Sequence, residues 1–224
     1  MATSGAARWP LLASLPDAEA RQLLSAAHRR RFDRHEVVFH EGDPADSMHL
    51  IDRGRVALRV TTPLGDTVTL RILGPGAAFG ELALLDPAPR NATVVALERT
   101  HTLSLHRDRF DELRQQHPEV DRVLIDSLVS EVRRLSVQLL EALYVPVPQR
   151  VELRLVDLVR HYGDGAPGPV DIPLTQEDLA QLCGASRTTV NKVLRGLEDD
   201  GLVMVSRGHL VIAEPDRLRR RHGA

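Results

Sequence analysis

The longest regular pattern of apolar positions runs through residues 118–144, whose one proline, Pro118, stands at the start. Within this segment apolar residues recur at alternating intervals of three and four, at Ile125, Leu128, Val132, Leu135, Leu139 and Ala142. Such spacing is the seam of a heptad repeat, through which one long helix packs against another. A second apolar stripe lies off this seam and consists of Val120, Leu124, Leu140 and Leu143. The pattern predicts a long helix that packs on its own subunit through the second stripe and on a copy of itself, in a parallel homodimer, through the seam.

The seam also has a simpler interpretation. Any long amphipathic helix that covers the core of its own subunit shows the same periodicity. Periodicity alone does not identify the partner of the helix, so the homodimer has to be supported by the rest of the chain.

From His28 to Arg107 the apolar pattern changes to a period of two, in short segments separated by turns rich in glycine and proline. The predicted strands are Glu36–Phe39, Met48–Ile51, Val56–Val60, Val68–Ile72, Thr93–Leu97 and Thr102–Leu105. Many short strands separated by turns rich in glycine and proline indicate an all-β barrel or roll. A short amphipathic helix from Leu11 to Ala27 is expected to cover it, with Leu15, Leu23 and Leu24 facing inward.

The segment Val145–Pro148 contains two prolines, which prevent a continuous helix and predict a hinge and a domain boundary. Beyond it we expect a helix, a loop rich in glycine and proline, two short helices and a hairpin, over Gln149–Tyr162, Gly163–Pro169, Thr175–Leu182, Ser186–Glu198, Leu202–Val205 and His209–Ile212. The basic ending, Arg217–Arg221, is expected to be frayed. The predicted domains are residues 1–117, a long helix with its hinge at 118–145, and residues 146–224.

Composition excludes several classes of protein. The 224 residues suffice for one large or two modest domains, and 42% hydrophobic with 27% charged residues argues against disorder and fibrous repeats. No apolar run approaches a membrane span and residues 1–9 carry no secretory signal, so we expect a cytoplasmic protein without membrane contact. The single cysteine, Cys183, is expected in the core and excludes an internal disulfide or a four-cysteine cluster. We therefore expect neither a metal site nor an obligatory cofactor.

The formal net charge of −2 argues against bulk electrostatic coating of nucleic acid, but positive charge is concentrated locally. The segment from Ser186 to Leu197 contains Arg187, Lys192 and Arg195 and no acid. It follows a short helix and a turn that contains Gly184, and a hairpin comes after it. This arrangement predicts a helix-turn-helix with a β wing, a motif that binds DNA.

The start of each short helix carries a capping residue. Thr175 and Asp178 have the spacing of a capping box, and Ser186 is expected to cap the second helix. The cap at Ser186 would direct the first-turn side chains into the major groove. The predicted DNA-binding residues are Thr175, Ser186, Arg187, Thr188, Thr189, Asn191 and Lys192, with Arg207 in the turn of the wing.

Their chemistry suggests separate roles within this set. The fork of Arg187 matches the O6 and N7 acceptors of guanine, and the amide of Asn191 suits adenine. Ser186 and Thr189 are expected to contact phosphate.

The run from Leu174 to Glu198 resembles the helix-turn-helix signature of the CRP/FNR family of transcription regulators, and the resemblance extends over nearly the whole chain. It implies an α+β chain with an N-terminal cyclic-nucleotide-binding-like β-roll, a long dimerisation helix and a C-terminal winged helix-turn-helix. In the family, the principal guanine-reading arginine falls on Arg187. Many members have glutamate at the position of Thr188 and arginine at that of Lys192, so a different half-site is expected here.

A second specific run starts at Phe79-Gly80-Glu81 and ends with Arg90-Asn91. Gly80 permits close approach of the backbone to a ligand, and a helical turn after it offers free amides to an anion. Arg90 brings a cation towards the same place. A carboxylate beside such a site, that of Glu81, can accept hydrogen bonds from ribose hydroxyls. These residues suit the phosphate and sugar of a nucleotide.

This run resembles the phosphate-binding cassette of cyclic-nucleotide domains. The resemblance assigns a ligand-binding role to Gly80, Glu81, Leu82, Ala83, Arg90 and Asn91, with cyclic AMP as the possible effector. Asn91 stands where the family has serine or threonine. Family members also contact the purine through a polar pair on the long helix, which falls on Leu135 and Ser136. Leu135 cannot form hydrogen bonds, so Ser136 is the one expected polar contact there.

Alternatives remain for the sensor. Glu81 and Arg90 could pair with each other in a roll that binds no nucleotide, which would make the regulator independent of an effector, or another ligand could occupy the pocket. An enzyme using His101 and His106 lacks any accompanying metal or nucleophile motif, so no catalytic activity is expected. The preferred prediction is a homodimeric regulator that binds a palindromic operator in double-stranded DNA. The family resemblance further implies contact with RNA polymerase through the loop from Gly163 to Ile172.

Overall fold

The alternating segment folds into two small sheets in the computed structural model, which describes residues 8–12, 15–86, 88–117, 119–163 and 168–221. The strands are β1 His28–Phe32, β2 Val37–Phe39, β3 Ser47–Arg53, β4 Val56–Thr61, β5 Thr67–Leu73, β6 Ala78–Phe79, β7 Thr93–Ala96 and β8 Thr100–His106. Their orders are β1-β8-β3-β6 in one sheet and β2-β7-β4-β5 in the other. The predicted all-β roll is confirmed.

Strands β1 and β6 were not predicted. In β1 only Phe32 is buried, while its four other residues are exposed, so the strand lacks the apolar alternation that marks a half-buried strand. It forms because it pairs antiparallel with β8, with His28 opposite Ser104 and Phe32 opposite Thr100. Backbone hydrogen bonding at a sheet edge thus defines this element.

Helices α1, Asp17–Ala26, and α2, Arg107–Gln116, cover one side of the roll core. The helix predicted from Leu11 begins only at Asp17, after Pro16, and a short 3-10 turn at Pro10–Leu12 precedes it. The buried cluster shared by these elements contains Trp9, Leu12, Leu15, Leu23, Met48, Leu50, Phe110 and Leu124. The indole Nε1 of Trp9 donates to the Ile51 carbonyl at 3.0 Å, which satisfies its polar group inside the cluster.

The long helix α3 spans Glu119–Tyr144. Leu124 is buried in the roll core, as the second stripe predicted, and the side chain of Val120 lies outside the described part. Leu140 and Leu143 are not buried in their own subunit, because 58% and 65% of their surfaces are exposed. That part of the prediction is wrong, since neither residue joins a buried core although the apolar stripe continues along the helix.

Helix α3 ends at Tyr144, and α4, Val147–Tyr162, begins after Pro146, so the predicted helix break is confirmed. The remaining elements are β9 Val170–Ile172, α5 Gln176–Cys183, α6 Arg187–Asp199, β10 Val203–Ser206, β11 His209–Ile212 and α7 Pro215–Arg220. The strands form one sheet in the order β10-β11-β9. The basic ending is not frayed over α7, because Leu218 is fully buried there.

The chain consists of two compact units. The first consists of Met1–Val60 and Arg71–Val137, and the second of Thr61–Leu70 and Gln138–Ala224. Except for Thr61–Leu70, the roll belongs to the first unit together with most of α3, and the helix-turn-helix with its sheet belongs to the second. None of the helices in the described ranges is long and apolar enough to cross a membrane.

Candidate functional site

Arg90 lies beside a small cavity in the roll and is 7% exposed. Its guanidinium stands 4.0 Å from the Phe39 ring centroid, and its Nη2 donates to the Ser47 hydroxyl at 3.2 Å. Burial lowers the pKa of Arg90, although an arginine keeps its charge at physiological pH. Its Nε is buried and has no acceptor within the described ranges. A buried cationic donor without a partner is costly, so this position suits an anionic ligand.

Gly80 brings the backbone close to Arg90. It has a left-handed φ of 76°, and a Cβ at this position would stand 2.8 Å from the Arg90 Nη1. A 3-10 turn, Glu81–Leu84, follows it directly. The cavity of about 210 Å³ is lined by Gly80, Leu82, Ala83, Arg90 and Asn91, among others. The structure therefore brings together five of the predicted ligand-binding residues, with the Asn91 side chain exposed.

Glu81 does not pair with Arg90. Among the described residues, the carboxylate partner of Arg90 is Asp46, 3.8 Å from Nη2, so the proposed Glu81–Arg90 ion pair is wrong. Burial raises the pKa of Glu81, and the negative charge of Glu131 acts in the same direction. A carboxylate in this state gains from hydroxyl donors, because they compensate for the water it has lost.

Arg107, the first residue of α2, supports the pocket and was not predicted as a site residue. Its Nε donates to the Ala83 carbonyl at 2.6 Å, and its Nη2 donates to the carbonyls of Ala45 and Asp86 at 2.9 and 3.1 Å. These contacts join the 3-10 turn to the segment before β3. A cation in the first turn of a helix interacts unfavourably with the helix dipole. This unfavourable position is the sequence feature that could have indicated that Arg107 serves the pocket rather than the helix.

Replacing Arg107 with methionine is expected to weaken ligand binding about 10-fold, because the two sides of the cavity lose the hydrogen bonds that Arg107 donates to both. Three hydrogen bonds at about 1 kcal/mol each also predict a fall of about 3 kcal/mol in the free energy of unfolding. Arg109→Met is the matched control, since Arg109 makes an exposed ion pair with Glu112. Titration calorimetry and urea denaturation measure the two effects. Equal affinities for the two variants would contradict the supporting role.

His49 lies under the same site. Its ring stacks on Phe79 with centroids 5.0 Å apart, and its Nδ1 lies 3.0 Å from the Thr102 hydroxyl. Burial, followed by the charge of Arg90, lowers the pKa of His49 to about 4. The imidazole is therefore neutral in the folded protein at physiological pH.

The lowered pKa predicts a loss of stability in acid. The unfolded histidine takes up a proton near pH 6.5 and the folded one only near 4, so stability falls as the pH decreases through this window. The shift corresponds to a loss of about 3 kcal/mol. Urea denaturation between these pH values, compared with His49→Phe, checks this. The variant should lack most of this additional pH dependence, and an identical pH profile would contradict the assignment.

Ser136 is not brought to the cavity in the single chain. It is exposed, and its hydroxyl donates to the Val132 carbonyl at 2.9 Å. Leu135, the other position of the expected purine-contacting pair, is 46% exposed. Neither residue lines the described cavities beside Glu81 and Arg90.

Both predicted caps of the helix-turn-helix are present. Thr175 Oγ1 accepts from the Asp178 amide at 3.1 Å, and the Asp178 carboxylate accepts from the Thr175 amide at 2.9 Å, which completes the capping box. Ser186 Oγ accepts from the Thr189 amide at 3.2 Å. Gly184 ends α5 in the left-handed conformation, with φ 57°. These local bonds fix where α6 begins and therefore which side chains occupy its first turn.

The first turn of α6 presents polar side chains to solvent. Arg187, Thr188 and Lys192 are exposed, whereas Thr189 and Asn191 are half-buried. Within the described ranges no carboxylate pairs with Arg187 or Lys192. Arg207 is exposed in the turn between β10 and β11. The surface can therefore offer unpaired cations and hydrogen-bond donors to an anionic polymer.

The opposite face of α6 explains why these residues point outward. Val190, Leu194 and Leu197 are buried against α4 and α5. Cys183 belongs to the same core, and burial raises the pKa of its thiol to about 12. A thiol in this state is unreactive, so its role is packing. No group of three or more potential metal ligands occurs in the part of the chain that the structure describes.

Two domain families match this chain. The cyclic nucleotide-binding domain matches residues 29–117, and the Crp-like helix-turn-helix domain matches residues 149–221. The chain is 34% identical over 192 residues to the CRP-like cAMP-activated global transcriptional regulator of Mycobacterium tuberculosis, covering 85% of this chain and 86% of the relative. It is 33% identical over 205 residues to the cyclic AMP receptor protein of Thermus thermophilus, covering 92% and 93%.

A crystal structure of the Thermus thermophilus catabolite activator protein has a TM-score of 0.56 to this chain at 32% identity, covering 94% of this chain and 97% of that one. The matched domains coincide with the roll and with the helix-turn-helix described above. These similarities are to transcription regulators rather than to enzymes. The chain belongs to the CRP/FNR family of transcription regulators, with an N-terminal cyclic nucleotide-binding domain and a C-terminal Crp-like helix-turn-helix domain.

Proposed function

We propose that the protein is a homodimeric, sequence-specific DNA-binding regulator whose affinity for DNA is controlled by a cyclic nucleotide in the roll. The observation that carries the effector assignment is the buried Arg90 beside a cavity of about 210 Å³. Its Nε has no acceptor among the residues that the structure describes. A cyclic phosphate supplies that acceptor, with Asn91 as a further donor. Glu81 accepts hydrogen bonds from the ribose. Cyclic AMP is the first nucleotide to test, because it appears in the names of the similar regulators.

The homodimer is supported by the apolar seam of α3. In the single chain Ile125, Val132, Leu135 and Leu139 are 55%, 62%, 46% and 60% exposed. Four large apolar residues on one helical stripe are costly to leave in water. A second copy of α3, aligned in parallel, covers them in the manner of a coiled coil.

The dimer accounts for recognition of a palindrome. Two copies of α6 read two half-sites about 34 Å apart, with Arg187 at a guanine in each. Bound nucleotide changes the packing of the paired α3 helices. The hinge at Val145–Pro148 converts this change into the spacing of the recognition helices.

RNA polymerase is a further proposed partner, by family resemblance, and the protein acts in the cytoplasm. The loop expected to contact polymerase, Gly163–Ile172, includes residues 164–167, which lie outside the described part of the chain. We assign no obligatory cofactor.

A second candidate keeps DNA binding without cyclic AMP, either with another ligand or with none. It is favoured by Leu135 and Ser136, which do not line the described cavities beside Glu81 and Arg90. Under this alternative, DNA affinity would be insensitive to cyclic AMP.

Titration calorimetry with cyclic AMP and cyclic GMP tests the effector site. We expect the parent protein to bind a cyclic nucleotide with micromolar affinity or better, Asn91→Ala to bind more weakly, and Arg90→Gln to lose binding. Asn91 is exposed, so its substitution leaves the core intact. Arg99→Gln is the control, since Arg99 forms an exposed pair with Asp33. No heat with either nucleotide, at protein concentrations that reveal micromolar binding, would contradict the proposal.

A further inference from the structure

A second, larger cavity adjoins the phosphate site. It has a volume of about 650 Å³ and is lined by Arg71, Glu81, Ser127, Glu131 and Arg134, among others. This volume lies within the range of about 300–1,000 Å³ that is usual for small-molecule sites. Gly80 lines the small cavity and its neighbour Glu81 lines the large one, so the two cavities are adjacent. A nucleotide with its phosphate at Arg90 and its ribose at Glu81 would extend its base into the larger cavity.

The wall of this cavity carries an ordered set of donors and acceptors. Arg71 Nη1 donates to Glu131 Oε2 at 3.0 Å, and Arg134 Nε donates to the same oxygen at 2.9 Å. Arg134 Nη2 also pairs with Glu131 Oε1. The side chains of Arg71 and Glu131 are 40% and 32% exposed, so both can meet a ligand. A cationic donor and an anionic acceptor therefore stand side by side, held by their own hydrogen bond.

The charges of this set keep Glu131 ionised. The hydrogen bond from Arg134 and the charges of Arg134 and Arg71 hold the pKa of Glu131 below its ordinary value, against the effect of burial. At physiological pH Glu131 can therefore accept hydrogen bonds but cannot donate them. Arg71 retains further N–H donors on its guanidinium, because the planar group carries five.

We infer that this wall selects guanine over adenine, so that the effector is a guanine cyclic nucleotide. Along one edge guanine presents the O6 acceptor, then the N1–H and N2–H donors. Arg71 donates to O6. Oε2 of Glu131 already accepts from Arg71 and Arg134, so Glu131 accepts from the guanine N2–H through Oε1, which accepts one hydrogen bond among the described residues. Adenine presents an N6–H donor in place of O6 and has no amino group at C2, so it opposes donor to donor at Arg71 and offers no hydrogen bond to Glu131. The inference rests on the proposed nucleotide site at Arg90.

Ser136, the polar contact for the purine that was expected on the long helix, does not line the cavity, whereas Ser127 and Ser130 of the same helix do. The Ser136 hydroxyl donates to its own helix, at the Val132 carbonyl, and Ser130 donates to the Asp126 carbonyl. The charged residues that line the cavity from these two elements are Arg71 on β5 and Asp126, Glu131 and Arg134 on α3. Base recognition is therefore assigned to the pair of Arg71 and Glu131 rather than to Ser136.

Calorimetric titration of the full-length parent with cyclic GMP, cyclic IMP and cyclic AMP, at one salt concentration, tests the inference. Cyclic GMP should bind roughly 10- to 100-fold tighter than cyclic AMP, which corresponds to one well-formed base contact. Cyclic IMP keeps O6 and N1–H but lacks the 2-amino group, so it should fall between them. Cyclic AMP binding as tightly as cyclic GMP would overturn guanine selection and leave the nucleotide site in place. If none of the three nucleotides binds, both guanine selection and the proposed nucleotide site are wrong.

Glu131→Gln isolates the carboxylate. The variant should lose about 10-fold in affinity for cyclic GMP, while its affinity for cyclic AMP stays close to that of the parent. Glu112→Gln is the matched control, because Glu112 also pairs with an arginine three residues away on a helix. If Glu131→Gln loses the same affinity for cyclic AMP as for cyclic GMP, Glu131 maintains the shape of the cavity and does not contact the base. That result would overturn its assignment. The comparison of three nucleotides on the parent is independent of how well the variant folds.

Discussion

Replacing Arg187 with alanine is expected to weaken operator binding about 30-fold or more while the protein stays dimeric. Each half-site loses one bidentate contact to guanine, worth about 1–3 kcal/mol, and the dimer makes two such contacts. Arg187 is exposed in the first turn of α6, whose start is fixed by the Ser186 cap, so its removal leaves the helix in place. Fluorescence anisotropy with a selected operator and with a scrambled duplex measures both affinity and selectivity.

Arg195→Ala is the control for charge. It removes one positive charge from the same helix, at an exposed position beyond the first turn. We expect it to lower the affinities for operator and scrambled DNA alike, because it changes the electrostatic attraction without changing base recognition. If Arg187→Ala also lowers both affinities equally, Arg187 contacts phosphate and the base-reading assignment is wrong.

Replacing Val132 with lysine is expected to dissociate the dimer. The substitution removes an apolar side chain from each of the two seams and puts two positive charges opposite each other. Loss of about 1.5–3 kcal/mol for each valine predicts a rise in the dimer dissociation constant of at least 100-fold. Analytical ultracentrifugation over a concentration series measures it. The affinity for DNA should fall as the dimer dissociates, since a monomer binds only one half-site.

Val137→Lys is the matched control for this experiment. Val137 lies on the same helix, is 56% exposed against 62% for Val132, and is not part of the heptad seam. It should leave the dissociation constant of the dimer unchanged. Equal dissociation by both variants, or by neither, would contradict the parallel packing of the seam.

Local patterns predicted the helix-turn-helix most completely. Thr175, Asp178 and Ser186 cap their helices through bonds that span three residues, so the sequence contains all the participants at short range. The strands of the roll with alternating burial were predicted for a similar reason. Strand β1 was not, because it depends on pairing with β8, a partner distant in sequence, and buries only Phe32.

Contacts between distant segments account for most of what the sequence did not predict in the pocket. Arg107 meets the carbonyl of Ala45 across 62 positions, and Arg71 meets Glu131 across 60. Nothing in the local pattern pairs such residues. The run from Gly80 to Asn91 identified the phosphate end through its resemblance to the phosphate-binding cassette. The base end depends on which face of α3 turns towards the roll. The positions of Leu140 and Leu143 were misjudged for the same reason, because an apolar stripe does not specify what covers it.

The central claim is that nucleotide binding in the roll controls the reading of DNA by the dimer. The most direct test is selection from a random DNA pool with the purified full-length protein, at one salt concentration, with cyclic AMP, with cyclic GMP and with neither. We predict that a two-fold symmetric sequence is enriched only when a nucleotide is present. Enrichment of the same sequence to the same extent without nucleotide would contradict the claim and leave a regulator that reads DNA independently of its roll.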